Sequence, residues 1–348
     1  MAILRQIVNG AITYMIESTD AKISFQASAA EALDLLNLFE GSKSQILEDT
    51  TPVVVNQGPD TTFHGLIEFN QDNSAKNANN QSIIGTTLMY QWSELNPAEG
   101  SYDWSKIESD LANWVGKKVI LRVSASGWKK WTTPQNTSWT PKWVYDKGAK
   151  SVTTDDGSIK PVYWDTTFLR AYNEFILAYG QKYNLDERIL AVEMGIGDGG
   201  ETKPDTSKFS DRLKKWKAVG YTDQNWFSAI KEIVQMYKAA FTTTPIILMP
   251  DASFLGSTLH ESDVLNYAVS EGCWLQENGL VPGESLNPEF QKTTFIMEQR
   301  NASTDATTLD QELSTALKLK AAYVLVFTSV LEDEKQASIL QKYASEAK

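Results

Sequence analysis

Residues 189–202 read ILAVEMGIGDGGET, a short apolar run that breaks into a glycine-rich turn carrying Asp198 and Glu201. Such a run bounded by glycines is the signature of a buried strand, and its acidic sequel is the kind of loop that α/β proteins place at strand ends. Seven further runs of the same kind surround it: FHGLIEF (63–69), TTLMYQW (86–92), KVILRVS (118–124), PIILMP (245–250), CWLQEN (273–278), TTFIMEQ (293–299) and AYVLVFTS (322–329). Amphipathic stretches separate them, among them WSKIESDLANWVGK, FLRAYNEFILAYGQKY, WFSAIKEIVQMYKAAF, ESDVLNYAVSEG, LDQELSTALKLKA and a terminal EKQASILQKYASEA. The third of these puts Phe227, Ile230, Ile233, Val234 and Tyr237 on one face of a helix.

Strands alternating with helices specify parallel βαβ units. Eight such units in about 288 residues (348 minus 60) predict a closed (β/α)8 TIM barrel. An open doubly wound sheet is the rival, but no GxGxxG follows the first strand.

Ahead of the barrel, Asn9-Gly10 sits between two apolar-rich runs and predicts a hairpin with a type I′ turn. Ser28 and Glu31 form a capping-box pattern before AAEALDLLNLFE, with Gly41 placed as a C-cap. A polar stretch with Pro52 and Gly58-Pro59 reads as a linker, which divides the chain into a hairpin-plus-helix module (1–45), a linker (46–60) and the barrel (61–348). A module that small is near the limit of independent folding, so its apolar helix face is expected to pack against the barrel or another subunit, with self-association or a partner protein engaged through it.

A net charge of −12 without a run of lysines and arginines argues against nucleic acid. The single cysteine, Cys273, forbids an internal disulfide, and with only His64 and His260 the ligands for zinc are too few. No metal and no cofactor is expected. Arg5, Gln6, Asn9 and Gly10 interrupt the first apolar residues, so neither a signal peptide nor a membrane span is predicted, and the expected location is cytoplasmic or within an assembled particle. There is no G-x-S-x-G elbow and no phosphate-binding GxxxxGK[ST].

In a TIM barrel the reactive groups lie at the C-terminal ends of the strands. There the fourth strand offers Glu193, Asp198 and Glu201, the sixth Glu277 and the seventh Glu298. Cleaving a glycosidic bond takes one carboxylic acid to protonate the leaving oxygen and one carboxylate to attack the anomeric carbon or activate water. Paired acids at opposite sides of a barrel mouth supply both.

At these residues the chain resembles the clan of (β/α)8 glycoside hydrolases that includes β-galactosidase-like barrels. The likeness runs from residue 63 to about 330 and is carried by WSELNPAEGSYDW (92–104), TPKWVYDKGAK (140–150), PVYWDTTFLRAYNEFILAYGQKY (161–183) and AVEMGIGDGGET (191–202). It implies Glu201 as acid/base and Glu298 as nucleophile. Many members carry Asn-Glu after the fourth strand, where this chain has Gly200-Glu201.

Sugar rings stack their C–H faces on aromatic planes, so Trp128, Trp131, Trp139, Trp143 and Trp164 in the long loop after the third strand form a candidate substrate wall, with Trp92 at the end of the second strand. Glu68, Gln91, Gln276, Asn278 and Asp251 are candidates for binding hydroxyl groups, as is His64, the alternative being barrel packing. Glu193 has two readings, a substrate contact or a core-facing acid paired with Arg122. The expected function is a retaining glycoside hydrolase acting on an oligo- or polysaccharide; the alternative is a non-catalytic carbohydrate-binding or structural barrel within a larger assembly such as a virion or surface fibre.

Overall fold

A computed structural model describes residues 58–127, 138–154, 157–206, 212–251, 258–302 and 304–348, together with the backbone of four N-terminal strands. The chain divides into two compact units, Met1–Gln57 and Gly58–Lys348.

In the first unit, Ala2–Val8 pairs antiparallel with Ala11–Glu17, which pairs antiparallel with Lys22–Gln26. Val8 faces Ala11, so two residues separate the paired strands, the loop length of the hairpin predicted at Asn9-Gly10. Those two residues, and the helix predicted after Ser28, lie outside the described residues. Ile46–Glu48 was expected as linker and is instead a strand, parallel to Ala2–Val8. Ile46-Leu47 is one of two apolar points in that polar stretch, the other being residues 53–55, and edge pairing satisfies the backbone groups of Ile46 and Leu47.

The second unit is a closed barrel of eight strands: β1 (Gly65–Phe69), β2 (Gly85–Gln91), β3 (Lys118–Ser124), β4 (Ile189–Glu193), β5 (Ile246–Leu248), β6 (Trp274–Leu280), β7 (Phe295–Gln299) and β8 (Tyr323–Phe327). Every neighbouring pair is parallel, and β8 closes on β1 with Tyr323 opposite Gly65 and Phe327 opposite Phe69. Strands covered on both faces must be apolar almost throughout, which is why these segments read as continuous runs in the sequence.

Helices cover the outside over Ser105–Asn113, Thr166–Tyr183, Asp223–Ala240, Glu261–Ser270, Ala306–Leu319 and Ala337–Glu346. Three of them begin at side-chain caps: Asp165 accepts from Thr167 N and Phe168 N, Thr222 from Asn225 N, and Asp305 from Thr307 N and Thr308 N. In Asp223–Ala240 the predicted face is inward, with Ile230, Ile233, Val234 and Tyr237 buried and Phe227 partly so. Among the described residues no helix is long and apolar enough to cross a membrane.

Between β3 and β4 the chain makes a two-stranded antiparallel hairpin, Ser151–Thr153 with Ile159–Pro161, before entering the helix at Thr166. That helix carries a dense cluster of aromatic rings. Trp92, expected to bind substrate, is fully buried here, its ring centroid 5.0 Å from that of Tyr172 and 5.6 Å from that of Phe175, and its indole N–H donates to Asn96 at 3.1 Å. The reason is local: the chain turns into a short helix, Trp92–Leu95, as soon as β2 ends, which carries the side chain into the core. Trp104 packs onto the same cluster, stacking on Tyr102 and Tyr179.

Candidate active site

Residues two apart along a strand share a face, and in a barrel one of those faces is the interior. Arg122 and Ser124 of β3, Gln276 and Asn278 of β6, Met89 and Gln91 of β2 and Glu298 of β7 gather in this way. Glu201 joins them from the loop after β4. Glu201 and Glu298 line a single cavity of about 290 Å³ with Gln91, Arg122, Ser124, Trp139 and Asn278. Larger grooves of about 700 and 600 Å³ lie among the outer helices, and neither is lined by a pair of carboxylates.

A run of amide side chains connects the two acids. Asn278 Nδ2 donates to Glu201 Oε1 at 3.0 Å, Gln276 Nε2 donates to Asn278 Oδ1 at 2.8 Å, and the same Nε2 donates to Glu298 Oε2 at 3.1 Å. Gln276 is buried and does not line the cavity, so its visible task is to orient Asn278 and Glu298.

The two carboxyl groups have different surroundings. Burial pushes Glu298 up to about 8, Arg122 opposes this, and the neighbouring Glu193 and Glu201 reinforce it. Glu201 is ion-paired through Oε2 with Lys203 Nζ at 2.8 Å, and Lys203 also pairs with Asp251. Asp251, expected as a sugar-binding group, is thus engaged by Lys203 and lies outside the cavity lining.

Glu193 takes the second of its two readings: it is fully buried and ion-paired with Nε of Arg122. Arg122 Nη1 in turn donates to Gly199 O at 3.3 Å, tying β3 to the loop that carries Glu201. Arg122 Nη2, Ser124 Oγ and Trp139 Nε1 are buried with no hydrogen-bond partner among the described residues, and all three belong to residues that line the cavity. Buried donors of this kind call for an acceptor.

Of the remaining expected sugar contacts, Gln91 and Asn278 line the cavity. Glu68 does not: it is fully buried and accepts from Asn77 at 2.7 Å, Thr328 at 2.9 Å and Thr86 at 3.2 Å. Alternation explains this, since its neighbour Phe69 is the β1 residue that lines the cavity. His64 precedes β1, far along the strand from its C-terminal end, and bonds Asp60 at 2.6 Å and Lys348 O at 3.0 Å. Trp143 donates to Asn96 O and Trp164 to Val219 O, away from the cavity. Trp128 and Trp131 lie outside the described residues. The cavity is also lined by residues not anticipated from the sequence, among them Ser124, Met89, Tyr90, Phe69 and Phe327 and the charged Asp72, Glu94 and Lys106, while Arg122 was expected only as a partner for Glu193. A lone charge inside the apolar run KVILRVS is the signal that marks Arg122.

Gly200, standing where the resemblance leads one to expect asparagine, has φ +94°, and a Cβ there would meet Met249 Cε at 2.7 Å and both Arg122 Cδ and Ser124 Oγ at 3.4 Å. The left-handed backbone selects glycine, while the tight contact is with the flexible end of Met249 and the β3 atoms lie at ordinary van der Waals distance. Gly200→Ala is expected to lower stability by about 1–3 kcal/mol, read from urea unfolding; an unchanged midpoint would show that the loop relaxes at no cost.

No protein-family model and no curated protein matches this chain. Among solved structures, it is similar to the β-galactosidase of the psychrophilic Marinomonas ef1, with a TM-score of 0.52 at 10% sequence identity, covering 82% of this chain and 59% of that one. It is also similar to the cold-adapted β-galactosidase of Rahnella sp. R3, with a TM-score of 0.51 at 11% identity, covering 83% of this chain and 57% of that one. The chain therefore spans less than two thirds of the length of either enzyme. The chain shares the TIM-barrel fold of these two enzymes, and at such identities the likeness extends to the fold alone.

Proposed function

We propose that the chain is a glycoside hydrolase that uses Glu201 and Glu298 as its carboxylate pair. The observation that carries this reading is the meeting of the two side chains, from the loop after β4 and from β7, in one cavity at the C-terminal ends of the strands. In the retaining mechanism implied by the resemblance, Glu298 attacks the anomeric carbon while Glu201 gives its proton to the departing oxygen. Glu201 then takes a proton from the water that releases the sugar from Glu298. Trp139, Phe69 and Phe327 offer apolar surface for the ring, and Arg122 and Ser124 offer donors for its hydroxyl oxygens.

This chemistry requires one proton shared by the pair, with Glu201 protonated and Glu298 ionised in the productive complex. Burial favours the proton on Glu298 in the free enzyme. A sugar hydroxyl donating to Glu298 stabilises its anion. In the free enzyme that proton leaves Glu298 as pH rises through about 8, so kcat/KM is expected to fall above that pH. A rate that keeps rising to pH 9 would contradict the shared proton.

The function is tested with a panel of aryl glycosides, headed by β-galactosides because β-galactosidases share the fold, together with surface polysaccharides. Turnover with the anomeric configuration of the first product preserved, read by proton NMR, is the expected result. Inversion would replace the nucleophilic role of Glu298 by that of a general base. No turnover of any substrate, alongside measurable sugar binding, would make the barrel a carbohydrate-binding module.

A further inference from the structure

The loop that presents Glu201 is poor in regular structure and rich in glycine, with Gly197, Gly199 and Gly200 within four residues. Left to itself such a segment samples many conformations. In this fold it is pinned from below by a buried cation that does not line the cavity. Lys160, in the strand Ile159–Pro161 of the β3–β4 hairpin, is 2% exposed, and its Nζ lies 2.5 Å from Asp198 Oδ1 and 3.8 Å from Asp205 Oδ1.

Asp198 is fully buried and stands three residues before Glu201. Its Oδ1 also accepts from Ser126 Oγ at 3.0 Å, and its Oδ2 accepts from Thr206 N at 2.9 Å and from the Thr206 hydroxyl. Trp216 Nε1 donates to Asp205 Oδ2 at 3.0 Å. The backbone closes around this centre: Asp198 N donates to Lys203 O at 2.8 Å, Gly199 N to Ser126 O at 2.9 Å, and Trp226 Nε1 to Thr202 O at 3.1 Å. Both ends of the 198–206 loop are therefore held by one ammonium group from a different part of the chain.

Building on the proposed function, we infer that Lys160 is a positioning residue, whose buried ion pair with Asp198 fixes the loop so that Glu201 meets the leaving oxygen. The physical case is that a carboxyl group transfers a proton only within hydrogen-bond reach, and a misplacement of about 1 Å costs on the order of 10²-fold in rate. Ionic bonds at a buried site are stiff because they have no water to exchange with. Lys160 touches no reacting atom, so its effect must pass through Asp198 and the loop backbone.

The test uses leaving groups. Dinitrophenyl glycosides depart without protonation, whereas methyl glycosides of the same sugar need it. For Lys160→Met, kcat/KM on the methyl glycoside is expected to fall on the order of 10²-fold, with only a few-fold change in kcat/KM on the dinitrophenyl glycoside, whose kcat and KM should fall together because release of the sugar still needs Glu201 as base; Glu201→Gln should show the same selectivity. Lys160→Met leaves Asp198 buried without its cation, so Lys160→Met/Asp198→Asn, which preserves the local net charge, carries the same comparison if the single variant does not fold. Equal losses on both substrates would show a merely structural role and overturn the inference while leaving the glycosidase reading intact, as would no loss on either. Absence of wild-type turnover on every glycoside would overturn the glycosidase reading, and this inference with it.

Discussion

Replacing Glu298 by glutamine is expected to abolish glycoside turnover, by on the order of 10⁴-fold or more for loss of a nucleophile, and at the same time to stabilise the protein near neutral pH. The second effect follows from linkage. A carboxyl at 4.5 in the unfolded chain and about 8 in the fold keeps its proton more tightly when folded. Its contribution to stability is fully present below about 4.5 and is lost as pH rises through about 8, at about 1.4 kcal/mol per unit of difference. Because the side chain is partly open to the cavity, the loss is a few kcal/mol at most. The wild-type urea midpoint should therefore decline between pH 4.5 and 8 more steeply than that of Glu298→Gln. Parallel curves would mean that Glu298 is ionised in the free fold.

Arg122→Met is expected to be among the most damaging single changes in the barrel. It leaves Glu193, fully buried, without its ionic partner, at a cost of about 3–5 kcal/mol in unfolding free energy. It also removes the strongest influence holding Glu298 towards its anion, so turnover should fall in whatever fraction remains folded. The double variant Arg122→Met/Glu193→Met separates the effects: most of the stability should return, because both members of the buried pair are gone, while turnover should stay low. Recovery of activity along with stability would show that Arg122 matters only as a counter-ion to Glu193.

Much of the barrel is legible because fully covered strands have nothing to alternate with. KVILRVS corresponds residue for residue to β3, whereas PIILMP shrinks to the three residues of β5 between its two prolines. The site is legible only at strand ends. Glu201 and Glu298 are recognisable as acids that end β4 and β7 units, and Asn278 and Gln91 as polar groups of the inner face. Glu68 misleads because an acid next to an aromatic residue on a strand does not declare which of the two points inward. Trp92 misleads because a strand's last residue can as easily start a core-directed helix. Nothing in SIKPVYW marks Lys160 as a buried cation, since its partners lie more than thirty residues away in the sequence.

In the proposed mechanism Glu298 attacks the anomeric carbon. This step is tested most directly by incubating the protein with 2-deoxy-2-fluoro glycosides of whichever sugar it hydrolyses, which slow release of the covalent intermediate, and locating the adduct by peptide mass spectrometry. A single fluoroglycosyl group is expected on the peptide that contains Glu298, absent from Glu298→Gln. An adduct on any other residue, or none from a sugar that the protein demonstrably cleaves, would contradict that step.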